Sequence, residues 1–176
     1  MVLKWDNNSE GNKFGFNLNS YGQNQDIFHA IYIVDNYTGA LFSSNKFSSV
    51  SNFSHTNEDL ISSFLNAMNL FINEINGNEE IQEINFKQMR ILYERRDRLI
   101  VIAISKKMDL QLEKYIVHEI LNDFYFRFKR QINQFTGLID KEMLSYKARI
   151  TDILDTHLNY KKRLDAIDFD TRRNTI

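Results

Sequence analysis

Apolar and polar residues alternate most clearly between residues 81 and 107, and this stretch predicts three consecutive β-strands. Three apolar residues fall on one face of the middle strand, namely Met89, Ile91 and Tyr93. Residues 99–104 are almost wholly apolar, which is typical of a strand that is buried on both faces. Residues 94–98 are charged and too few to cross a sheet, so they predict a hairpin turn between the last two strands.

Two further strands are predicted upstream of this meander. Residues 27–34 (IFHAIYIV) form a continuous apolar run. The segment from Asp35 to Gly39 has turn chemistry, because Asp and Asn can bond their own backbone and Gly can adopt a positive φ. Residues 40–42 then begin a second strand, which we expect to pair antiparallel with the first.

Helical spacing predicts two helices that cover the sheet. The first spans residues 57–76, and its apolar residues form one wide stripe consisting of Leu60, Ile61, Phe64, Leu65, Met68, Phe71, Ile72 and Ile75. Gly77 is suited to end this helix. The second helix spans residues 109–133, and its predicted buried stripe consists of Leu112, Tyr115, Ile116, Ile120, Phe124, Phe128 and Ile132.

A third helix is predicted over residues 138–168, with apolar residues that recur in alternating steps of four and three. These residues form a heptad seam, which includes Ile139, Met143, Tyr146, Ile150, Ile153, His157, Tyr160 and Leu164. Such a seam serves either as a dimerising coiled coil or as a face that packs on the helix's own domain. The two Tyr and one His in the seam favour packing on the domain, with an exposed end that could recruit a partner.

The remaining segments are polar. Residues 1–25 are rich in Asn, Gly and Ser and predict an arm or, because Phe14, Phe16 and Leu18 alternate, an added edge strand. The pattern divides the chain into four parts, which are this N-terminal part (1–25), one domain (26–136), the C-terminal helix (137–168) and a frayed tail (169–176).

Composition limits the classes of function. The chain has 176 residues, a net charge of −1 and no Cys, so it offers no global electrostatic attraction for nucleic acid, no disulfide and no thiolate nucleophile. No run of apolar residues reaches the roughly 20 that a spanning helix needs. The first residues do not have the pattern of a signal peptide, so we expect a cytoplasmic protein.

The sequence offers no pattern for catalysis, metal binding or a cofactor. His118 and Glu119 begin a His-Glu-x-x-His pattern, but Asn122 occupies its last position, so no two-His metal face forms. No glycine-rich phosphate loop is present either. An enzyme would need a pocket in which His118, Glu119 and Asp123 converge.

A concentrated basic segment lies in the predicted hairpin turn, where Arg95, Arg96 and Arg98 occur together. These residues either solubilise the hairpin or contact an acidic partner or anionic lipid head groups. Lys106 and Lys107 lie at the opposite end of the strand that follows.

The succession of these elements resembles the longin domain and the related roadblock domain. The resemblance lies in FHAIYIVDNYTGALFSSNKF, in the helix NEDLISSFLNAMNLFINEI, in INFKQMRILYERRDRLIVIAIS and in the aromatic-rich helix that follows. The third of these segments is similar to the meander of longins and of the small subunits of clathrin adaptors. The abundance of Asn, Ile and Lys would suit an archaeal relative of these trafficking proteins.

This resemblance implies an α/β fold of order β-β-α-β-β-β-α, with a five-stranded antiparallel sheet between helices and an additional long C-terminal helix. It also implies a non-catalytic module that binds a small GTPase or a sister longin or roadblock subunit, forms a homodimer, or reaches a membrane through a partner. The first helix and the sheet edge are the implied partner surfaces. The candidate partner-binding residues are Asn57, Asp59, Ser63, Asn66, Arg95, Arg96 and Arg98. The alternative is a ligand-sensing domain of the profilin or PAS-like kind, with an apolar pocket.

Overall fold

The computed structural model describes residues 27–47, 58–76 and 81–173, and in these residues one sheet of five antiparallel strands is flanked by helices. The elements are β1 (Phe28–Asp35), β2 (Leu41–Lys46), α1 (Glu58–Asn76), β3 (Glu83–Asn85), β4 (Arg90–Arg96), β5 (Leu99–Ser105), α2 (Leu110–Asn133), α3 (Lys141–Leu144) and α4 (Lys147–Arg173). The strands lie in the order β2-β1-β5-β4-β3. This arrangement confirms the predicted α/β fold with a five-stranded antiparallel sheet between helices, and it is consistent with a longin-like fold. The predicted N-terminal arm or edge strand lies outside the described residues.

The centre of the sheet is β5, which pairs with β1 on one side and with β4 on the other. All seven of its residues are buried, as its continuous apolar run predicts. The strand register places Ile102 opposite both Tyr32 of β1 and Tyr93 of β4, so these three side chains lie on the same face of the sheet. Neighbouring residues such as Ala103 face the other side.

The two faces of the sheet have separate apolar cores. On one face, β-strand residues such as Ile33 and Val101 pack with side chains of α2, α3 and α4. On the other face, the core is centred on Tyr32 and Ile102, and α1 contributes Leu65 to it. The sheet is therefore covered by α2 to α4 on one side and by α1, which lies over β1 and β2, on the other.

The turn between β1 and β2 has the predicted chemistry. The Asp35 carboxylate accepts hydrogen bonds from the backbone N–H of Thr38 at 3.0 Å and from its hydroxyl at 2.6 Å. The backbone N–H of Gly39 donates to the Asp35 carbonyl at 2.8 Å, and Gly39 has a φ of 73°, which favours glycine. The turn thus forms from the local interactions that its sequence indicates.

The start of α2 is fixed by two carboxylates. Asp109 caps the helix by accepting from the backbone N–H of Leu112 at 3.2 Å. Glu113 is fully buried, and it accepts from the backbone N–H of Asp109 at 3.0 Å and from the hydroxyl of Ser105 at 2.6 Å. Arg90 Nε lies 3.2 Å from the same carboxylate and balances its buried charge. This network joins β4, β5 and α2.

The C-terminal region differs from the single helix predicted over residues 138–168. The short helix α3 ends at Leu144, and α4 begins at Lys147 and continues to Arg173. At the break, the Ser145 hydroxyl donates to the Glu142 carbonyl at 2.9 Å, and the backbone N–H of Tyr146 donates to the Met143 carbonyl at 3.2 Å. Serine competes for backbone groups in this way, which explains the turn.

Candidate interaction surfaces

The helix α1 turns large apolar side chains away from the sheet. Phe64 is 61 % exposed, Phe71 is 62 % exposed and Ile75 is 60 % exposed. These residues follow one another in steps of seven and four, and the partly buried Met68 lies between them, so the four side chains share one side of the helix. We call Phe64, Met68, Phe71 and Ile75 the outer stripe. The sequence groups these residues with Leu65 in one wide stripe, but Leu65 is buried whereas Phe64, Phe71 and Ile75 are exposed.

The opposite side of α1 faces the sheet and is much less apolar. Its buried side chains include Ser62, Leu65 and Asn66, of which only Leu65 is large and apolar. Asn66 packs against the turn between β1 and β2, because a Cβ added to Gly39 would lie 3.4 Å from Asn66 Nδ2.

This orientation has an energetic cost in the isolated chain. Full burial of a Phe or Ile side chain is worth about 1.5–3 kcal/mol, so leaving three of them mostly in water forgoes about 3–5 kcal/mol. A contiguous exposed apolar patch usually marks an interaction site. The sequence of α1 contains Glu58, Asp59 and Glu74 but no Lys or Arg, so the helix has a net negative charge.

The four residues proposed on this helix have different positions. Ser63 is exposed, and Asp59 lies in the first turn of α1. Asn66 is only 4 % exposed, so its side chain lies beneath the helix and not on the predicted partner surface. Asn57 lies outside the described residues. The side chains that sequence reasoning missed are Phe64, Phe71 and Ile75, because helical spacing alone does not tell an outward stripe from an inward one.

The predicted basic hairpin turn is largely bound to its own domain. Arg98 forms a two-pronged ion pair with Asp35, and its guanidinium lies 5.4 Å from the ring centroids of both Tyr37 and Phe135. Burial opposes ionisation of Asp35, but its hydrogen bonds with Arg98 and Thr38 outweigh this effect and lower its pKa below the ordinary value. Arg98 therefore stabilises the fold and does not project toward a partner.

Arg96 is held by aromatic side chains of α2. Its guanidinium carbon lies 4.3 Å from the ring centroid of Tyr125 and 4.5 Å from that of Phe126, and it donates a short hydrogen bond to Asn122 Oδ1. Arg95 has another environment, since it lines a groove of about 270 Å³ between β4 and α2, together with Glu94, Lys114 and other residues. The three arginines thus do not form one basic surface.

The predicted heptad seam packs mainly on its own domain. Four of its residues are buried in the core shared with α2 and the sheet, namely Met143, Tyr146, Ile150 and Ile153. Ile139 is partly buried against this core, whereas Tyr160 is 63 % exposed. Leu164 lies in α4 beyond the last side chains that the structure describes. The burial agrees with the second of the two interpretations of the seam.

Polar contacts reinforce the attachment of α4 to α2. The Tyr146 hydroxyl donates to Asp123 Oδ2 at 2.8 Å, and Arg149 Nη2 lies 3.1 Å from Asp123 Oδ1. Burial and the neighbouring carboxylate raise the pKa of Tyr146. Burial also opposes ionisation of Asp123, but its hydrogen bonds from Tyr146 and Arg149 lower its pKa overall.

About two turns beyond Arg149, His157 forms a short contact with Glu119, and its ring meets the ring of Tyr115 edge-on at 5.1 Å between centroids. Tyr115 was predicted to be buried, but it is 58 % exposed. Tyr160, the last seam residue whose side chain the structure describes, lies outside the core.

An enzyme would need His118, Glu119 and Asp123 to converge in one pocket, but each of them contacts a different side chain. His118 Nδ1 lies 3.0 Å from Glu94, whereas Glu119 contacts His157 and Asp123 contacts Tyr146. Among the described residues, no three His, Asp or Glu side chains are grouped closely enough to hold a metal ion. Within the same part of the chain, no helix combines the length and hydropathy that crossing a membrane requires.

Comparison with known proteins adds little to this geometry. No protein-family model matches the chain, and no curated protein is significantly similar to it. One chain of a structure described as "Homology model of the full-length AP-3 complex in a stretched open conformation" is similar over 81 % of this chain and 98 % of its own, at 12 % identity and a TM-score of 0.34. This likeness is too low to indicate a shared function.

Proposed function

We propose that this protein is a non-catalytic interaction module of longin type that works in the cytoplasm. It binds a small GTPase or a sister longin or roadblock subunit, as part of a trafficking-like or GTPase-regulatory assembly. The observation that carries the proposal is the outer stripe of α1, because three large apolar side chains there are each at least 60 % exposed. A partner that buries them would recover the free energy that the isolated chain forgoes.

The charge of α1 indicates the chemistry of the partner. The helix has three acidic residues and no basic one, so an anionic membrane would repel it. A protein surface with an apolar groove and a basic rim would accept the stripe in the way that amphipathic helices are commonly bound. The edge strand β2 lies beneath α1 and extends the surface that such a partner can reach.

The ligand-sensing alternative needs an apolar pocket of sufficient size. A groove with a mainly apolar lining, beside Phe28, Phe47 and Leu158, has only about 120 Å³, whereas small-molecule sites usually have about 300 Å³ or more. Two larger grooves have many polar residues in their lining. The groove of about 270 Å³ between β4 and α2 is lined partly by the polar residues Gln82, Glu94, Arg95 and Lys114. Another, beside β2, has about 370 Å³ and is lined mainly by Ser43, Ser44, Asn45, Lys46 and Lys147. An apolar ligand would gain little in either groove, because such ligands bind where the lining is predominantly apolar.

The proposal is tested with the double variant Phe64→Glu and Phe71→Glu in the full chain. Calorimetry measures binding to small GTPases of the same organism, loaded with GDP or a GTP analogue, and to its longin and roadblock proteins. Light scattering measures self-association in parallel. We expect at least one of these interactions. We also expect the variant to weaken it at least about 30-fold, because the loss of a single large anchor already costs about 2 kcal/mol.

The matched control is Leu138→Glu with Tyr160→Glu, which places the same charges at exposed apolar positions away from α1. Circular dichroism shows whether each variant keeps the fold. The control should bind as the parent protein does. The proposal fails if the parent chain binds none of these proteins and stays monomeric at high concentration, or if both double variants weaken binding equally.

A further inference from the structure

Two loops meet at the end of the sheet opposite the β4–β5 hairpin turn. One loop joins β3 to β4, the other joins β5 to α2, and the adjacent strand ends pair Arg90 with Ser105. The Lys107 ammonium donates to the carbonyl of Phe86 at 2.8 Å, which ties the two loops together. The backbone N–H of Phe86 donates to the Met89 carbonyl at 2.9 Å and closes a tight turn. We call Phe86, Lys87, Lys106, Lys107 and Met108 the lysine end.

Each of these loops exposes one large apolar side chain. Phe86 is 44 % exposed and Met108 is 52 % exposed, although both lie beside well-packed strands. Lys107 has a φ of 56°, which a residue with a side chain rarely adopts. The chain therefore maintains a strained conformation immediately before the exposed Met108.

The lysine end has an unbalanced positive charge. Within the described residues, neither Lys87 nor Lys106 is in an ion pair, and Lys87 is exposed. The acidic side chains nearby are already engaged. Glu83 faces Arg90 and Lys114, Glu113 is buried against Arg90, and Asp109 caps α2. No neighbouring carboxylate in this part of the structure neutralises the two free ammonium groups.

We infer that the lysine end binds directly to the surface of an anionic membrane. Apolar side chains at the ends of two loops can enter the interface between head groups and acyl chains, while lysine ammoniums reach the phosphates beside them. Lysine is a flexible point charge that suits a diffuse anionic surface, whereas recognition of one defined carboxylate or phosphate favours the planar guanidinium of arginine. None of the grooves described above lies here to hold an acidic peptide, and Phe86, Lys87 and Met108 are exposed to solvent.

This inference is independent of the partner proposed for α1, and vesicle sedimentation of the full chain tests it. The probes are vesicles of phosphatidylcholine alone and of phosphatidylcholine with phosphatidylserine in equal parts. We expect binding only to the anionic vesicles. We also expect it to fall when salt rises from about 0.1 M to about 1 M, because the Debye length shortens from about 10 Å to about 3 Å.

Two pairs of variants separate the contributions. Lys87→Gln with Lys106→Gln should weaken binding about 25-fold, since each lysine near an anionic surface contributes about fivefold. Phe86→Ser with Met108→Ser should weaken vesicle binding at low salt and also weaken the residual binding at high salt, because salt does not screen the insertion of apolar side chains. The matched control, Lys141→Gln with Lys147→Gln, removes the same charge from exposed positions in α3 and α4 and should bind as the parent does.

Several outcomes would overturn the inference. One is the absence of binding to anionic vesicles at low salt. A second is equal weakening by the two lysine pairs, which would indicate attraction to charge anywhere on the protein. A third is loss of vesicle binding only in the α1 variant Phe64→Glu with Phe71→Glu. A fourth is binding to soluble poly-glutamate but not to vesicles, which would identify an acidic protein as the partner.

Discussion

Arg98 and Asp35 form a two-pronged ion pair that joins the end of β1 to the start of β5. Arg98 Nε lies 2.5 Å from Asp35 Oδ1, and Arg98 Nη2 lies 3.0 Å from Asp35 Oδ2. The backbone N–H of Asn36 also donates to the Arg98 carbonyl at 2.7 Å. Asp35 is fully buried, so this pair fastens the β1–β2 turn to the β4–β5 hairpin turn, 63 residues later in the chain.

Asp35→Asn should therefore lower the free energy of unfolding by about 3 kcal/mol, because it leaves the partly buried Arg98 without its counter-ion. Urea unfolding followed by circular dichroism measures the change. Asp155→Asn removes a carboxylate from an exposed position and should change stability by less than about 0.5 kcal/mol. A loss below about 1 kcal/mol for Asp35→Asn would show that the pair contributes no more than a surface ion pair.

The lowered pKa values of Asp35 and Asp123 predict the direction of the pH dependence. Both carboxylates have pKa values below the ordinary range in the folded protein. Their contribution to stability is thus fully present above the unfolded pKa of about 3.9 and is lost as pH falls through the folded values. Unfolding measured from neutral pH to about pH 3 should show this loss, and Asp35→Asn should show a shallower one. Equal slopes for the two proteins would contradict the assignment to Asp35.

The sequence predicts the sheet because the apolar and polar residues of each strand reflect how deeply that strand is buried. β5 is apolar from Leu99 to Ile104 because helices and strands surround it. The turn after β1 contains the Asp and Gly that its conformation requires. Contacts between residues that are distant in the sequence have no such local pattern, so they cannot be predicted in this way. Nothing in the spacing of the basic segment indicates that Arg98 faces Asp35 or that Arg96 lies between Tyr125 and Phe126.

The orientation of α1 could not be predicted for a different physical reason. Helical periodicity shows that apolar residues share one side of a helix, but a core and a partner surface impose the same spacing. The sheet beneath α1 accepts Ser62 and Asn66, and the outer stripe faces away. The sequence therefore shows that a stripe exists, and only the fold shows where it points.

This orientation predicts an unusual result for substitutions in α1. Phe71→Ser should change the free energy of unfolding by less than about 0.5 kcal/mol, because Phe71 is 62 % exposed. Leu65→Ala should cost about 2–4 kcal/mol, because Leu65 is 3 % exposed and belongs to the core under the helix. Denaturant unfolding of both variants gives the comparison. A larger loss for Phe71→Ser would mean that the stripe packs against the protein's own chain in solution.

The attachment of α4 can be tested at the level of one hydrogen bond. Tyr146→Phe removes the hydroxyl that donates to Asp123 but keeps the ring in the core. Asp123 retains Arg149 and Arg127, so the loss of stability should be about 1–2 kcal/mol. The same substitution at the exposed Tyr160 should have no measurable effect. Thermal unfolding of the two variants distinguishes a structural role of Tyr146 from a general effect of removing a hydroxyl.

A truncation after Gly137 tests whether the C-terminal helices belong to the domain. It removes five core side chains, which are Met143, Tyr146, Ile150, Ile153 and Leu154. At about 2 kcal/mol each, their burial contributes about 10 kcal/mol, which is comparable with the whole stability of a typical domain. We therefore expect the truncated chain to aggregate or to lack a cooperative unfolding transition, as light scattering and circular dichroism would show. A different result would be a truncated chain that is folded and monomeric while the full chain is dimeric. The heptad seam would then be an assembly surface, because a helix that the domain does not need is available to a second copy.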